Sequence, residues 1–226
     1  METNSRSVDQ LSRLIDVSHT ANINEIVKLI ASDNSLKART IRIARNGRPD
    51  GDDMDLDVAI NRLGTGIVEI LAMGNILMVS VLSTFKMMLN TLLMPVDPAS
   101  LVRDEKPTGI VGAVEFNGVV YGKIYLDFPR ESTRWLASTM TGIPESSLSN
   151  DIEMDAIGEI VNIIAGKLQS NICDAGLKCH LGLPNVDQAR LVPVEKISGA
   201  KKETFAFRTN EHIFWIDFIV NPYANR

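Results

Sequence analysis

The sequence is poor in the residues that metal and redox sites require. Its 226 residues include only two cysteines and three histidines. Cys173 and Cys179 do not have the spacing of a CxxC redox pair, and no zinc-ligand pattern surrounds them. His19, His180 and His212 are scattered without ligand spacing. We therefore expect reduced thiols in a cytoplasmic protein, and no metal or other cofactor bound to this chain.

The chain also lacks an excess of positive charge and a long uninterrupted apolar run. Its 23 Lys and Arg against 28 Asp and Glu give a formal net charge of −5, which argues against a nucleic-acid partner. The first ten residues lack the apolar core of a signal peptide. The uncharged run at residues 70–85 contains Gly74 and Asn75 and is shorter than a membrane span, so a buried helix is expected there.

The strongest positive signal is one long helix, predicted from Asn150 to Gly176. Asn150 followed by Glu153 is typical of a capping box, and glycine is a common helix stop. Helical spacing places one broad apolar face toward the core. That face is formed by Ile157, Ile160, Val161, Ile164, Leu168 and Ile172.

The opposite face of this helix carries a narrow polar stripe. We call it the acidic stripe, and it consists of Asp155, Glu159, Asn162, Gly166 and Gln169. Exposed helix faces usually mix Lys and Arg with Glu to gain i,i+4 pairs, whereas this one offers only carboxylates, amides and a glycine. An ordinary solvated face would also be polar, so the stripe alone does not distinguish a functional site from a solvated surface.

The residues around the stripe resemble the CheX branch of the CheC, CheX and FliY phosphatases. That family carries an acidic residue or Ser, then Glu and Asn as ExxN on a long helix, and a proline after the next segment. The matching positions are Asp155, Glu159, Asn162 and Pro184, and the strings DAIGEIVNIIAG and LGLPNV extend the match. The segment before Pro184 is one residue shorter than the usual pattern.

The resemblance implies dephosphorylation of the aspartyl phosphate of a CheY-like response regulator, in chemotaxis or another two-component pathway. Asn162 would orient the attacking water, and Glu159 would either bind the partner's Lys or assist in proton removal. The expected partner-binding residues are Asp155, Gly158, Gly166, Gln169 and Pro184. Mg²⁺ is expected on the partner and not on this chain.

Two other functions are compatible with the same surface. A non-catalytic adaptor could bind a receiver domain through the acidic stripe. A structural scaffold in a switch or motor complex is a further alternative. The intact pair of Glu159 and Asn162 favours the enzyme.

The resemblance covers roughly residues 75–222, and residues 74–226 are predicted to form a CheX-like domain. Its expected class is α+β, a sandwich of antiparallel sheet covered by long helices. Hairpins are predicted around Asn117–Gly118 and Asn210–Glu211, a helix after Pro129, and strands at LKCHLGLP and ARLVPVEK. CheX-like domains can form homodimers by sheet-edge pairing, for which the strands of residues 109–127 or 203–220 are candidates.

Residues 1–73 are predicted to form a small helical appendage. Its helices are VDQLSRLIDVS, INEIVKLIAS, NSLKARTIRIARN and one that ends at Gly64. The strings LIASDNSLKARTIRIARN and LDVAINRLGTGIVEILAM resemble the opening of HDOD domains, which are helical signalling modules related to HD-domain hydrolases but without their metal ligands. The appendage would be a truncated HDOD segment, and an unrelated helical cap is the alternative.

Residues 75–93 are predicted as a helix buried between the sheet and the appendage, because they are apolar on nearly every side. Met78, Met87 and Met88 are expected to fill the core. CheC-type relatives can bear a second ExxN on this helix, but Lys86 stands in the Glu region here. A single site is therefore expected.

Overall fold

The computed structural model describes residues 23–45, 54–64, 66–103, 109–118, 121–174, 178–188 and 200–221. Its helices are α1 (Ile23–Ala31), α2 (Asn34–Ala44), α3 (Leu56–Leu63), α4 (Ile67–Leu89), α5 (Arg130–Thr141) and α6 (Asn150–Asp174). Its strands are β1 (Met94–Val96), β2 (Ile110–Gly118), β3 (Tyr121–Phe128), β4 (Cys179–Leu181), β5 (Asn185–Gln188), β6 (Lys201–Arg208) and β7 (Ile213–Asn221). Short 3₁₀ turns occur at Pro98–Ser100 and Glu145–Ser147.

The seven strands form one antiparallel sheet in the order β1-β6-β7-β3-β2-β4, with β5 pairing with β2 beside β4. The long helices pack against one face of this sheet. Phe85 of α4 stacks on Phe214 of β7, with ring centroids 5.1 Å apart. The predicted α+β class, with an antiparallel sheet covered by long helices, is confirmed.

The opposite face of the sheet carries a charged network. Arg103 donates to Asp127 at 2.7 Å and to Asp217 at 3.0 Å. Asp217 also accepts from Lys202 at 3.0 Å and from the Thr204 hydroxyl at 2.8 Å. The pKa of Arg103 is raised by these two aspartates in spite of burial, which acts in the other direction. Both buried carboxylates are therefore compensated by positive charge.

Both predicted hairpins are present, and one turn differs from its prediction. β6 and β7 are joined through Asn210 and Glu211, as expected. In the other hairpin Asn117 and Gly118 lie within β2, where they pair with His180 and Cys179 of β4. The prediction of an Asn-Gly turn there was wrong, because both residues belong to β2 and pair with β4.

Most of the strands proposed as dimerisation edges are paired on both sides. β3 and β7 are interior, β2 is paired with β4 and β5, and β6 is paired with β1 over Ala206–Arg208. Among the described strands, the outer positions belong to β1 at one end and to β4 and β5 at the other. The expectation is therefore wrong for β2, β3 and β7, whereas Lys201–Phe205 of β6 pair with no described strand on their outer side. A homodimer stays a prediction.

Helix α4 begins at Ile67, before both the apolar run at residues 70–85 and the helix predicted for residues 75–93. Gly74 lies inside the helix and makes room for a buried ion pair. A Cβ added there would lie 2.5 Å from Glu203 Oε2 and 2.6 Å from Arg39 Nη2. The proposed boundary between residues 73 and 74 falls within α4, and the two-part division stays a prediction.

Arg39 of α2 joins the N-terminal helices to the sheet. Its guanidinium donates to both carboxylate oxygens of Glu203 in β6, at 2.5 and 3.1 Å. It also donates to the Asn75 amide oxygen and, at 3.1 Å, to the Leu71 carbonyl. The arginine and Glu203 are 7% and 2% exposed, so the buried charges are paired and hydrogen-bonded, as such burial requires.

The N-terminal helices share one hydrophobic core with the rest of the chain. Ile26, Ile30, Ile43 and Ile60 belong to the same buried cluster as α4 and the sheet. Asp33 caps α2 by accepting from the Ser35 and Leu36 amides. The predicted helix VDQLSRLIDVS and strand ARLVPVEK lie outside the described residues.

One described helix, α4, is long and apolar enough to cross a membrane. Of its most apolar 18-residue window, 72% is buried inside the protein. Such burial is typical of a core helix, as the sequence predicted.

Candidate functional site

Helix α6 is held against the sheet by its apolar face. All six predicted core residues on this face are at most 1% exposed. Gly112 of β2 allows the close approach, because a Cβ there would collide with Val161 and would lie 3.5 Å from Ile157 Cγ2. The orientation of the helix is therefore fixed, and with it the direction of the opposite face.

Helix α6 begins at Asn150, as predicted, but the residue that caps it is Ser149 and not Asn150. Ser149 accepts from the Glu153 amide through its carbonyl and from the Ile152 amide through its hydroxyl, at 3.1 and 3.4 Å. Asn150 is the first helical residue, so the predicted capping box is wrong. Glu153 is buried and forms an ion pair with Arg134 of α5 at 3.4 Å. The helix ends at Asp174, and Gly176 lies outside the described residues.

Asp155, Glu159 and Asn162 are exposed on one side of α6, as their helical spacing predicted. Among the described residues, neither carboxylate forms an ion pair and the Asn162 amide forms no hydrogen bond. The i, i+3 spacing of Glu159 and Asn162 places these two side chains on neighbouring turns of one face. Two acceptor groups and one amide are thus available to a partner.

The two glycines predicted to face a partner differ in their surroundings. A Cβ added at Gly166 meets nothing within 4 Å, so the backbone there is open on its outer side. A Cβ added at Gly158 would lie 3.4 Å from Val186 Cγ2 of β5. Gly158 therefore faces the edge of the sheet, and Gly166 faces open space.

Gln169, at the C-terminal end of the acidic stripe, forms a hydrogen bond within the protein. Its amide nitrogen donates to the Cys179 carbonyl of β4 at 2.8 Å. The Cys173 thiol lies 3.7 Å from the same carbonyl. Burial, together with the neighbouring Cys173, raises the pKa of the Cys179 thiol to about 12. These contacts join the last turns of α6 to β4.

Pro184 lies in a gap between two strands. β4 and β5 both pair with β2, and residues 182–184 between them belong to neither strand. Gly182 keeps one link to β2 by donating to the Glu115 carbonyl at 2.8 Å. Pro184 is half-buried, whereas Leu183 beside it is 91% exposed.

The gap lies beside the middle of the acidic stripe. Near one end Gly158 faces Val186, and near the other Gln169 binds Cys179. The chain runs in opposite directions along α6 and along this sheet edge. The segment 182–184 and the turns of α6 that hold Asn162 therefore lie between the same two contacts.

A second flank of the stripe is formed by the end of α4. Asn171 of α6 donates to Ser80 of α4 at 3.4 Å, and Lys167 Nζ lies 3.9 Å from Met87 Sδ. Burial lowers the pKa of Lys167. Met87 and Met88 are 76% and 46% exposed, so the prediction that they fill the core was wrong for both.

Leu183 and Met87 were not predicted as functional residues. The identity of an apolar residue does not tell whether its position is exposed or in the core. Leu183 is exposed because it lies in the gap between β4 and β5, and Met87 because it lies near the end of α4. Among the described residues, no group of three or more His, Cys, Asp or Glu could hold a metal ion.

A family model described as "Chemotaxis phosphatase CheX" matches residues 110–208 of this chain. The matched segment contains Asp155, Glu159, Asn162 and Pro184. No curated protein matches the chain. The resemblance of the sequence to the CheX branch is thus confirmed by the family model, and the HDOD resemblance of the N-terminal part stays a prediction.

Solved structures share the fold at low sequence identity. The chemotaxis protein CheX from Vibrio vulnificus is 19% identical, with a TM-score of 0.57, over 66% of this chain and 95% of that chain. A CheC-like superfamily protein from Shewanella sp. PV-4 is 21% identical, with a TM-score of 0.56, over 66% and 96%. A CheX-CheY-BeF3-Mg complex from Borrelia burgdorferi is 17% identical, with a TM-score of 0.52, over 64% and 95%.

Proposed function

We propose that this chain dephosphorylates the aspartyl phosphate of a CheY-like response regulator in the cytoplasm. The observation that carries the proposal is the pair formed by Glu159 and Asn162. Both side chains are exposed on one face of α6, inside the segment that matches the CheX family model. The complex of CheX with CheY from Borrelia burgdorferi supports the choice of partner class.

Asn162 orients the attacking water in this proposal. An amide can donate one hydrogen bond and accept another, so it can hold a water with a lone pair directed at phosphorus. The water forms a new bond to phosphorus, and the bond between phosphorus and the aspartyl oxygen breaks. The products are inorganic phosphate and the free aspartate of the partner. Positioning of this kind contributes much of the rate in phosphoryl transfer.

Glu159 has one of two roles. It binds a lysine of the partner and thereby fixes the docked pose, or it accepts the proton of the attacking water. The exposed Asp155, one turn earlier, adds negative charge to the same surface. The half-buried Gly158 and Pro184, with Gly166 and Gln169, complete the proposed partner-binding surface.

The partner supplies the metal ion in this proposal. Mg²⁺ on the receiver domain neutralises charge on the transferring phosphoryl group, so this chain needs to add only positioning. No cofactor is assigned to this chain.

The test is the decay of phosphorylated receiver domains from the same organism, with and without the full chain. The wild type should accelerate decay, and Asn162→Ala should lower the rate by at least about 100-fold, because the water is no longer oriented. The unfolding midpoint should stay unchanged, because Asn162 is exposed. Asn61→Ala, the same substitution at an exposed position of α3, is the matched control and should keep full activity.

A folded Asn162→Ala protein with full activity would contradict the assignment of the amide. Binding of the phosphorylated receiver without faster decay would instead favour the adaptor. The exposed carboxylates of Asp155 and Glu159 would then serve docking alone.

A further inference from the structure

Two exposed apolar side chains flank the acidic stripe. Leu183 lies on the side of the sheet edge and is 91% exposed, and Met87 lies on the side of α4 and is 76% exposed. Single exposed apolar residues are common on protein surfaces and need no explanation by themselves. Leu183 and Met87 differ from such isolated residues because they lie on opposite sides of the acidic stripe.

Leu183 lies on the sheet edge between two contacts with α6, that of Val186 with Gly158 and that of Cys179 with Gln169, and Asn162 lies between the same two contacts along the helix. β4 and β5 pair with β2 on either side of Leu183, and the Gly182 amide binds the Glu115 carbonyl. The leucine therefore projects from an anchored segment and not from a long loop. An apolar group held in this way loses little conformational entropy when a partner covers it.

Met87 is placed by the contact of α4 with α6. Its sulfur lies 3.9 Å from Lys167 Nζ, and Lys167 directly follows Gly166 of the stripe. The open space outside Gly166 lets a partner approach the helix backbone between the methionine and Asn162. Methionine adapts its shape to varied apolar surfaces.

We propose that Leu183 and Met87 are the apolar contacts that select the receiver domain docking on the acidic stripe. This inference rests on the proposed function and names the residues that determine its partner. The occupant is a receiver domain with a basic group facing Glu159 and Asp155 and with apolar residues on both sides of its phosphorylation site. The carboxylates match the charge of that partner, and the two apolar groups lie where its flanks would contact the chain.

The experiment measures the concentration dependence of receiver dephosphorylation by the full chain. Leu183→Ser and Met87→Ser should each raise the KM for the phosphorylated receiver about tenfold, because a buried apolar contact is lost. The kcat should stay within about twofold of the wild type, because neither residue orients the water. In the double variant the two increases in KM should multiply, because the two sites are independent.

Val102→Ser is the matched control. Val102 is 92% exposed and precedes Arg103, which binds Asp127 and Asp217 on the opposite face of the sheet. Its substitution should leave both kinetic constants unchanged. Equal KM values for Leu183→Ser, Met87→Ser and Val102→Ser would overturn the proposal, as would a fall in kcat without a rise in KM.

Binding is measured separately, so that the two proposals can fail separately. The probe is the same receiver activated with beryllofluoride and Mg²⁺, titrated against Asn162→Ala and against Asn162→Ala with Leu183→Ser. About tenfold weaker binding of the double variant supports the contact even if the wild type does not accelerate decay. Equal binding overturns it, and failure of the wild type to bind any receiver overturns both proposals.

Discussion

The two long helices, α4 and α6, are neighbours of similar length that differ in what covers them. α4 has 23 residues and α6 has 25. The segment from residue 66 to residue 74 at the start of α4 is buried throughout by the N-terminal helices and the sheet, whereas α6 leaves one side exposed along its length. A helix can bind a protein partner only through a face that the rest of the fold leaves uncovered. Of these two helices, α6 has such a face over its middle turns.

The packing of the N-terminal helices over α4 depends on Arg39. Replacing Arg39 should give the largest loss in the free energy of unfolding. Arg39→Met leaves Glu203 buried without its counter-charge, and we expect a loss of about 3–5 kcal/mol in the free energy of unfolding. Urea denaturation measures the loss. Replacing Glu203 by Gln as well should recover part of it, because no buried charge then remains.

Arg42→Met is the matched control for that prediction. Arg42 lies on the same helix and pairs with Asp97 at 2.8 Å, but the two side chains are 30% and 56% exposed. An exposed pair contributes about 0–1 kcal/mol. If Arg39→Met costs no more than Arg42→Met, the N-terminal helices are not joined to the sheet by the buried pair.

Gly74→Ala should destabilise the protein by about 1–3 kcal/mol, because overpacking forces neighbouring groups to move. The added Cβ would meet Glu203 Oε2, Arg39 Nη2 and Phe205 Cζ at 2.5, 2.6 and 3.0 Å. Thermal unfolding of the variant measures the effect. An unchanged or raised midpoint would mean that the ion pair can shift without cost, and the cover on α4 would then be less tightly packed than the contacts indicate.

The difference between the helices also explains which features the sequence could predict. The bounds and the exposed face of α6 depend on local periodicity, and both were predicted to within a few residues. The start of α4 and the role of Gly74 and Asn75 were not predicted. Gly74 makes room for the ion pair of Arg39 and Glu203, and the Asn75 side chain accepts from Arg39. Arg39 and Glu203 are 164 residues apart in the sequence. No local pattern contains that contact.

The same limit applies to the surroundings of the candidate site. Helical spacing was enough to bring Asp155, Glu159 and Asn162 to one exposed face. It could not place Gln169, whose amide is bound to the Cys179 carbonyl of a strand that follows the helix. The sequence also could not distinguish Leu183 and Met87 from core residues, because exposure of an apolar side chain depends on which elements pack around it.

Gly166→Ala should give the smallest change in stability, and one of opposite sign to Gly74→Ala. Alanine favours a helix over glycine by about 0.8–1.0 kcal/mol, and a Cβ at Gly166 meets nothing within 4 Å. We expect the free energy of unfolding to rise by about 0.5–1 kcal/mol. If the receiver approaches the α6 backbone at Gly166, the same methyl group should weaken its binding. A more stable variant that binds the receiver as tightly as the wild type would remove Gly166 from the docking surface and leave Glu159 and Asn162 in it.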